Sequence, residues 1–371
     1  MNTVLSYRSN PNFPERYISP KSLHKYLQEN LAEFAELIGY SMKGQPIYNI
    51  HLGNGPVKVL AWSQMHGNES NATHAFLDLW YSLEKKENDE LFSKISLDFI
   101  LMLNPDGSEL WQRRNGFNID INRDFLGRAS EEMRVYYKFL SKTSYDYALN
   151  LHEQRTIFTT DGLHPATFSF LAPSESADRE ITENRKKSMA VINQVAQVLR
   201  QSIPNRLARY TDEFYPAAFG DNLMKQGLSN ILFEGGHYED DYERHTTRKY
   251  YTIGLYEALK AIGELKGSTE GWEGYLELPE NKTTHFDIIY RNVKISDAHD
   301  SRVDIAVQYR EELDENKEKL KFVPIVMEIG DLRFKKGWKE IDAAELKFVC
   351  KDGCPKLDAI QNFELIEVDR L

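Results

Sequence analysis

VKVLAWSQMHGNESNATHAFLDLWYSL, residues 57–83, decides how this chain is read. Val57 to Trp62 is β-rich and almost continuously apolar, the pattern of a strand covered on both faces. Further on, Ala72, Ala75, Phe76, Leu79, Trp80 and Leu83 recur at helical spacing, so 69–85 reads as an amphipathic helix. A buried strand running directly into a helix is one unit of an α/β sheet. His66 and Glu69 stand at the turn between them, and ligands of such sheets gather beyond the C-terminal ends of the strands.

Outward from there, three more runs repeat the pattern: LDFILML (97–103), YALNLH (147–152) and NILFEGG (230–236). Helical patterns lie between and after them, at 179–201 and 246–266. Nearer the N-terminus, 20–37 reads as a helix with Leu23, Tyr26, Leu27, Leu31, Phe34 and Leu37 on one stripe. QPIYNIHLG then alternates like a strand and stops at a Gly-Asn-Gly turn. The expectation is an α/β fold, a mixed and mostly parallel sheet flanked by helices. After about residue 268 the texture changes to short strand-like pieces between charged turns: YLELP, FDIIYRNV, DIAVQY, FVPIVMEIG and LKFVC. The chain therefore divides into a larger domain, 1–267, and a small β-rich, sandwich-like domain, 268–371.

A net charge of −11 argues against a nucleic-acid partner, which needs a basic face. No run approaches the 18 or so apolar residues of a membrane span, so no membrane partner is expected. Met1 to Asn10 lacks the apolar stretch of a secretory signal, and cytoplasmic residence is the expectation. Cys350 and Cys354 are the only cysteines; they read as reduced thiols and cannot close a structural metal site alone.

The chemistry concentrates at the strand ends. His66 and Glu69 form an H-x-x-E pair, and nitrogen and oxygen donors at that spacing can face one Zn²⁺ ion. His152 ends the third apolar run and is the candidate third ligand, although a histidine at the edge of a core would look the same. Glu234 follows five mostly apolar residues, and a carboxylate placed there needs a partner; a water it deprotonates would be one. The segment NPDGSELWQRRNGFNIDINRDF (104–125) carries Arg113, Arg114, Asn122 and Arg123, residues suited to carboxylate recognition, with Asp120 between two apolar neighbours. Arg155, three residues past His152, is a candidate substrate contact. His74, off the apolar stripe of its helix, reads as a surface residue, and His237 with Glu239–Asp241 as a solvated loop.

Taken together, H-x-x-E, NPDG, R-x-N, D-x-N-R, a strand ending in His and a strand ending in Glu resemble, in that order, the M14 zinc carboxypeptidases over roughly residues 15–265. The resemblance implies one Zn²⁺ held by His66, Glu69 and His152, with Glu234 as general base. It implies that Arg113 polarises the scissile carbonyl, that Asn122 and Arg123 grip a C-terminal carboxylate, and that Asp120 orients His66. A tyrosine covering the substrate would be Tyr215 or Tyr210; Tyr215 is preferred because it leads into FGDN. Three departures stand out: Asn118 where the family pattern has Gly, DINR for a DLNR-like sequence, and Asp124 where Asn is common. The substrate class implied is a peptide with a free C-terminus; the alternative is an N-acyl amino acid or cell-wall peptide. A non-catalytic binding protein would have lost one of these positions, and none is lost.

Overall fold

The computed structural model describes residues 5–83, 89–296 and 298–367. The chain builds β1 (Ala35–Tyr40), β2 (Pro46–Leu52), β3 (Val57–Trp62), β4 (Ile95–Leu101), β5 (Tyr147–Glu153), a two-residue β6 (Phe158–Thr159), β7 (Phe168–Leu171), β8 (Leu207–Arg209) and β9 (Ser229–Gly235). All but β6 join one sheet in the order β1-β2-β4-β3-β5-β9-β7-β8. Its centre, β4, β3, β5 and β9, is parallel, and β2 and β7 run the opposite way on either side. From β3 the chain crosses to β4 on one side and later returns to β5 on the other, so the strand order reverses at β3. Crevices at such reversals are where open α/β sheets bind ligands.

Helices cover both faces. They are α1 (Pro20–Asn30), α2 (Asn71–Ser82), α3 (Asp89–Lys94), α4 (Pro105–Glu109), α5 (Glu131–Leu140), α6 (Glu183–Leu199), α7 (Phe219–Lys225) and α8 (His245–Leu265). One core joins α1, α2, α3, α6 and α8 to the sheet through residues such as Leu27, Phe76, Phe92, Val195 and Leu259. The other joins α5 and α7 to the opposite face, around Trp62, Tyr136 and Phe219. No helix among the described residues is long and apolar enough to cross a membrane.

Three expectations need correction. The helix read over 20–37 ends at Asn30, and Ala35–Tyr40 pairs with β2 instead. Backbone pairing at the sheet edge overrides the helical period there, and Leu37, on the expected buried stripe, is exposed. His74 is buried rather than at the surface: every residue of α2 from Asn71 to Trp80 is buried, and His74 Nε2 lies 3.0 Å from the Arg16 carbonyl. The helix is covered by α8 and the N-terminal segment as well as by the sheet, so its polar face has no water to meet. YLELP is not a strand but part of a 3₁₀ turn, Trp272–Glu277, whose Tyr275, with Leu278, belongs to the larger core. The last two positions of the 69–85 helix lie outside the described residues.

Beyond that turn, β10 (Lys282–Thr283) pairs with β6. Then β11 (His285–Val293), β12 (Val303–Leu313), β13 (Leu320–Gly330) and β14 (Lys336–Asp342) form a sheet in the order β13-β12-β11-β14. The hairpin of β15 (Leu346–Cys350) and β16 (Phe363–Glu367) closes over it around Val293, Val307, Val326 and Phe363. Cys350 and Cys354 are free thiols. The far end of the β12–β13 hairpin leaves this sandwich and packs Leu313, Leu320 and Phe322 against Tyr17 and Trp111 of the larger part.

Candidate active site

The loop after β3 is shaped by NPDG. Asn104 caps α4 by accepting the Gly107 N–H, and its side-chain NH2 donates to the Met65 and Arg113 carbonyls. Gly67 passes so close to α4 that a Cβ there would lie 2.0 Å from the Gly107 carbonyl carbon. Only glycine fits this contact between two backbones, and it holds His66 where β3 points.

Three buried side chains then converge. His66 Nδ1 is 2.9 Å from one Glu69 oxygen, His152 Nδ1 is 2.8 Å from the other, and the two Nδ1 atoms are 3.2 Å apart. One donor atom from each lies within 4.8 Å of the others. Two imidazole nitrogens turned toward each other beside a buried carboxylate leave their lone pairs facing one point, which a cation resolves. Two nitrogens and one oxygen, with a cleft on the open side, suit a catalytic zinc.

Supporting groups fix this geometry. Asp120 accepts from His66 Nε2 at 3.2 Å and from Arg113 Nε at 3.0 Å. Burial alone would raise the Asp120 carboxyl, but its bond to His66 and the Arg113 charge outweigh that and hold it well below the usual range. Arg113 NH1 lies 3.2 Å from His66 Nδ1 and so points into the triad, whereas Arg114 turns away to the Asn118 carbonyl. Asn118 has φ 61°, a left-handed conformation that Asn tolerates almost as Gly does, which accounts for Asn at this position. Asp124 is structural: its carboxylate accepts from the Ala129 and Ser130 N–H groups and the Ser130 hydroxyl. Asp120→Asn is expected to weaken zinc binding about 10–100-fold by removing the charge behind His66; competition with a chromophoric chelator measures this, and unchanged affinity would refute the role.

Glu234 on β9 is the direct neighbour of His152 on β5. Burial, then repulsion from Glu69, pushes its carboxyl well above the usual range, with Arg113 pulling the other way. These groups line one cleft of about 380 Å³ that also takes in Asn122, Arg123, Tyr210 and Tyr215. Asn122 accepts the Phe219 N–H through its side-chain oxygen, which leaves its NH2 available to a ligand. Arg123 is exposed in the cleft and, among the described residues, its guanidinium hydrogen-bonds only to its neighbour's carbonyl. Tyr215 stands at the rim, 48% exposed. Tyr210 sits deeper, and burial followed by the nearby Glu234 and Glu69 carboxylates pushes its hydroxyl well above the usual tyrosine range.

The sequence reading missed a buried ion cluster behind the cleft. Arg16 joins Glu153, the residue after His152, to Glu311 of β12. Arg155, which lines the cleft, pairs with Glu311 and donates to the Asn68 carbonyl at 2.8 Å. The Trp111 N–H donates to Glu311 at 3.2 Å, and both guanidinium groups lie 5.7 Å from its ring. Nothing local marks Glu311, which stands in a strand of mixed burial. The loop at 239–241 is also less solvated than expected: Asp241 caps α8, Glu239 pairs with Arg206 and His237 is buried.

Comparison with known proteins places these observations in context. The family model described as Peptidase_M14, zinc carboxypeptidase, matches residues 22–221. No curated protein matches the chain. Among solved structures, carboxypeptidase A from Helicoverpa armigera is similar with TM-score 0.54 and 15% identity, over 67% of this chain and 74% of that one. A metallo-carboxypeptidase from Burkholderia cenocepacia is similar with TM-score 0.53 and 17% identity, over 67% and 69%.

Proposed function

This chain belongs to the peptidase M14 family of zinc carboxypeptidases, and from that premise we propose how its own residues divide the work of releasing a C-terminal residue. The observation that carries the proposal is the convergence of His66, Glu69 and His152 beside Glu234, which β5–β9 pairing puts next to His152. When bound there, zinc supplies Lewis acidity, which acidifies a water and polarises a carbonyl oxygen.

Glu234 takes a proton from the attacking water and returns one to the leaving amine. Its raised affinity for protons, caused first by burial and then by Glu69, suits a group that must take a proton from water. Arg113, held by Asp120, faces the oxygen on which negative charge grows. Arg123 and the Asn122 NH2 receive the substrate's terminal carboxylate, and Tyr215, with its side chain at the rim, covers the bound residue. Cytoplasmic residence belongs to the same proposal, supported by two unpaired thiols.

The test pairs zinc content with product identification by mass spectrometry on matched peptides with free and amidated C-termini. The free form is expected to be cleaved at least 100-fold faster, because amidation removes the charge that Arg123 binds. Equal rates would remove the carboxylate-gripping role. N-acyl amino acids in the same panel examine the second reading, that of a deacylase, which Arg123 also permits because they too carry a free carboxylate.

A further inference from the structure

The ion cluster behind the cleft is fastened to the segments that carry the working residues. Arg155 donates to the Asn68 carbonyl at 2.8 Å, and Asn68 stands between His66 and Glu69 of the triad. Arg16 reaches the same loop through its backbone, where its carbonyl accepts the Ser70 hydroxyl at 2.7 Å. Its guanidinium pairs with one oxygen of Glu153, and the other oxygen accepts the Asn71 N–H at 3.1 Å. The zinc loop is thus held at Asn68, Ser70 and Asn71. Both guanidinium groups end on a single carboxylate, Glu311 of β12.

Trp111 is the third group on that carboxylate. Its indole N–H donates to Glu311 at 3.2 Å, and its ring meets Tyr17 edge-on, with centroids 5.9 Å apart. The backbone of Trp111 has φ 48°, a left-handed conformation that a bulky residue holds only when its surroundings impose it. Arg113 follows two residues later, and its carbonyl accepts the Gly67 N–H at 3.3 Å. Holding the indole therefore fixes where the segment begins that aims Arg113 at the triad and meets the zinc loop.

We infer that Glu311 is a positioning residue for the active site: one carboxylate from the C-terminal β-rich part sets the zinc loop through Arg155 and Arg16, and the Arg113 segment through Trp111. This role rests on the carboxypeptidase reading above and deepens it. Glu311 touches neither the triad nor the substrate, so its influence passes through other side chains. Small displacements of a metal ligand or of a charge-stabilising donor are costly to the chemical step. The carboxylate-gripping pair hangs from a different anchor, the Asn122–Phe219 hydrogen bond, so substrate binding stands apart from this control.

The experiment measures zinc affinity by chelator competition, and kcat and KM at saturating zinc, well below every melting temperature. Glu311→Gln keeps the shape but leaves two guanidinium groups and an indole to share one oxygen. It is expected to weaken zinc binding and to lower kcat by about tenfold or more each, with KM changed less than about threefold. Trp111→Phe, which keeps a ring and removes the N–H, should lower kcat about fivefold or more. Arg155→Lys, which gives up the fork spanning Asn68 and Glu311, should weaken zinc binding about fivefold or more. Val326→Ala loosens the core of the same β-rich part without touching the cluster, and it should leave zinc affinity and kcat as they are. Glu311→Gln within twofold of wild type in both, or Val326→Ala losing as much of either, would overturn the positioning role. If Glu311→Gln fails to fold, wild-type values in both Trp111→Phe and Arg155→Lys overturn it instead. A wild-type protein that releases no C-terminal residue would sink the carboxypeptidase reading, and the chelator titrations would still decide whether Glu311 sets the zinc loop.

Discussion

Glu234→Gln is expected to leave the protein folded and zinc-loaded while lowering kcat by three or more powers of ten. The substitution keeps size and shape but removes the atom that can accept a proton, so the loss falls on the chemical step. A deficit of three decades corresponds to about 4 kcal/mol of barrier. The zinc ligands should be indifferent to the change, because among the described hydrogen bonds none joins Glu234 to His66, Glu69 or His152. Zinc stoichiometry by atomic absorption and kcat on a peptide with a free C-terminus are the two readouts. Near-normal turnover with zinc retained would mean that another group activates the water, and the mechanism would have to be reassigned.

The second large effect concerns stability. Glu311→Ala is expected to destabilise the protein by roughly 3–5 kcal/mol, the usual result of removing one partner from a buried charge cluster. Its carboxylate is 8% exposed and paired with Arg16, whose side chain is 1% exposed. Burial alone would raise the Glu311 carboxyl, but Arg155, Arg16 and Arg244 together bring it down to about 2. A carboxyl depressed in the folded state stabilises fully above its unfolded value, near 4.5, and the contribution drains away as the pH falls from there toward 2. The wild type should therefore lose melting temperature steeply over that window, and Glu311→Gln should lose less of it because its share is already gone. Thermal melts at several pH values measure both. A Glu311→Ala protein within 0.5 kcal/mol of wild type at pH 7 would show that the cluster is merely tolerated.

The residues legible in advance were those whose signal is local. Val57–Trp62 is apolar because both faces of β3 are covered, and the H-x-x-E spacing survives any rearrangement elsewhere. Glu234 was legible because a charge at the end of an apolar strand is costly without a use. Misread residues were decided by distant neighbours. Ala35–Tyr40 is a strand only because β2 is there to pair with it. His74 is buried because α8 and the N-terminal segment lie over a helix face that its own sequence marks as polar. Glu311 could not be read at all: its partners come from the first turns of the chain and from the loop after β5, and nothing in DIAVQYREEL points to them. Asn150 and Asp221 likewise line one cleft only when β5 and α7 are brought together.

The pairing of Arg16 with Glu311 spans 295 residues, and this has a bearing on how the chain is made. Synthesis delivers the zinc-ligand triad, the proposed base Glu234 and the proposed carboxylate-gripping pair Asn122 and Arg123 long before β12 leaves the ribosome. Until then, among the described residues, Glu153 is the one carboxylate paired with Arg16 and Arg155, an excess of positive charge against the wall of the cleft. A nascent chain halted between Glu234 and Glu311 thus carries every proposed catalytic residue with one wall unbraced. Its activity should switch on late, when the last quarter of the protein folds against the first.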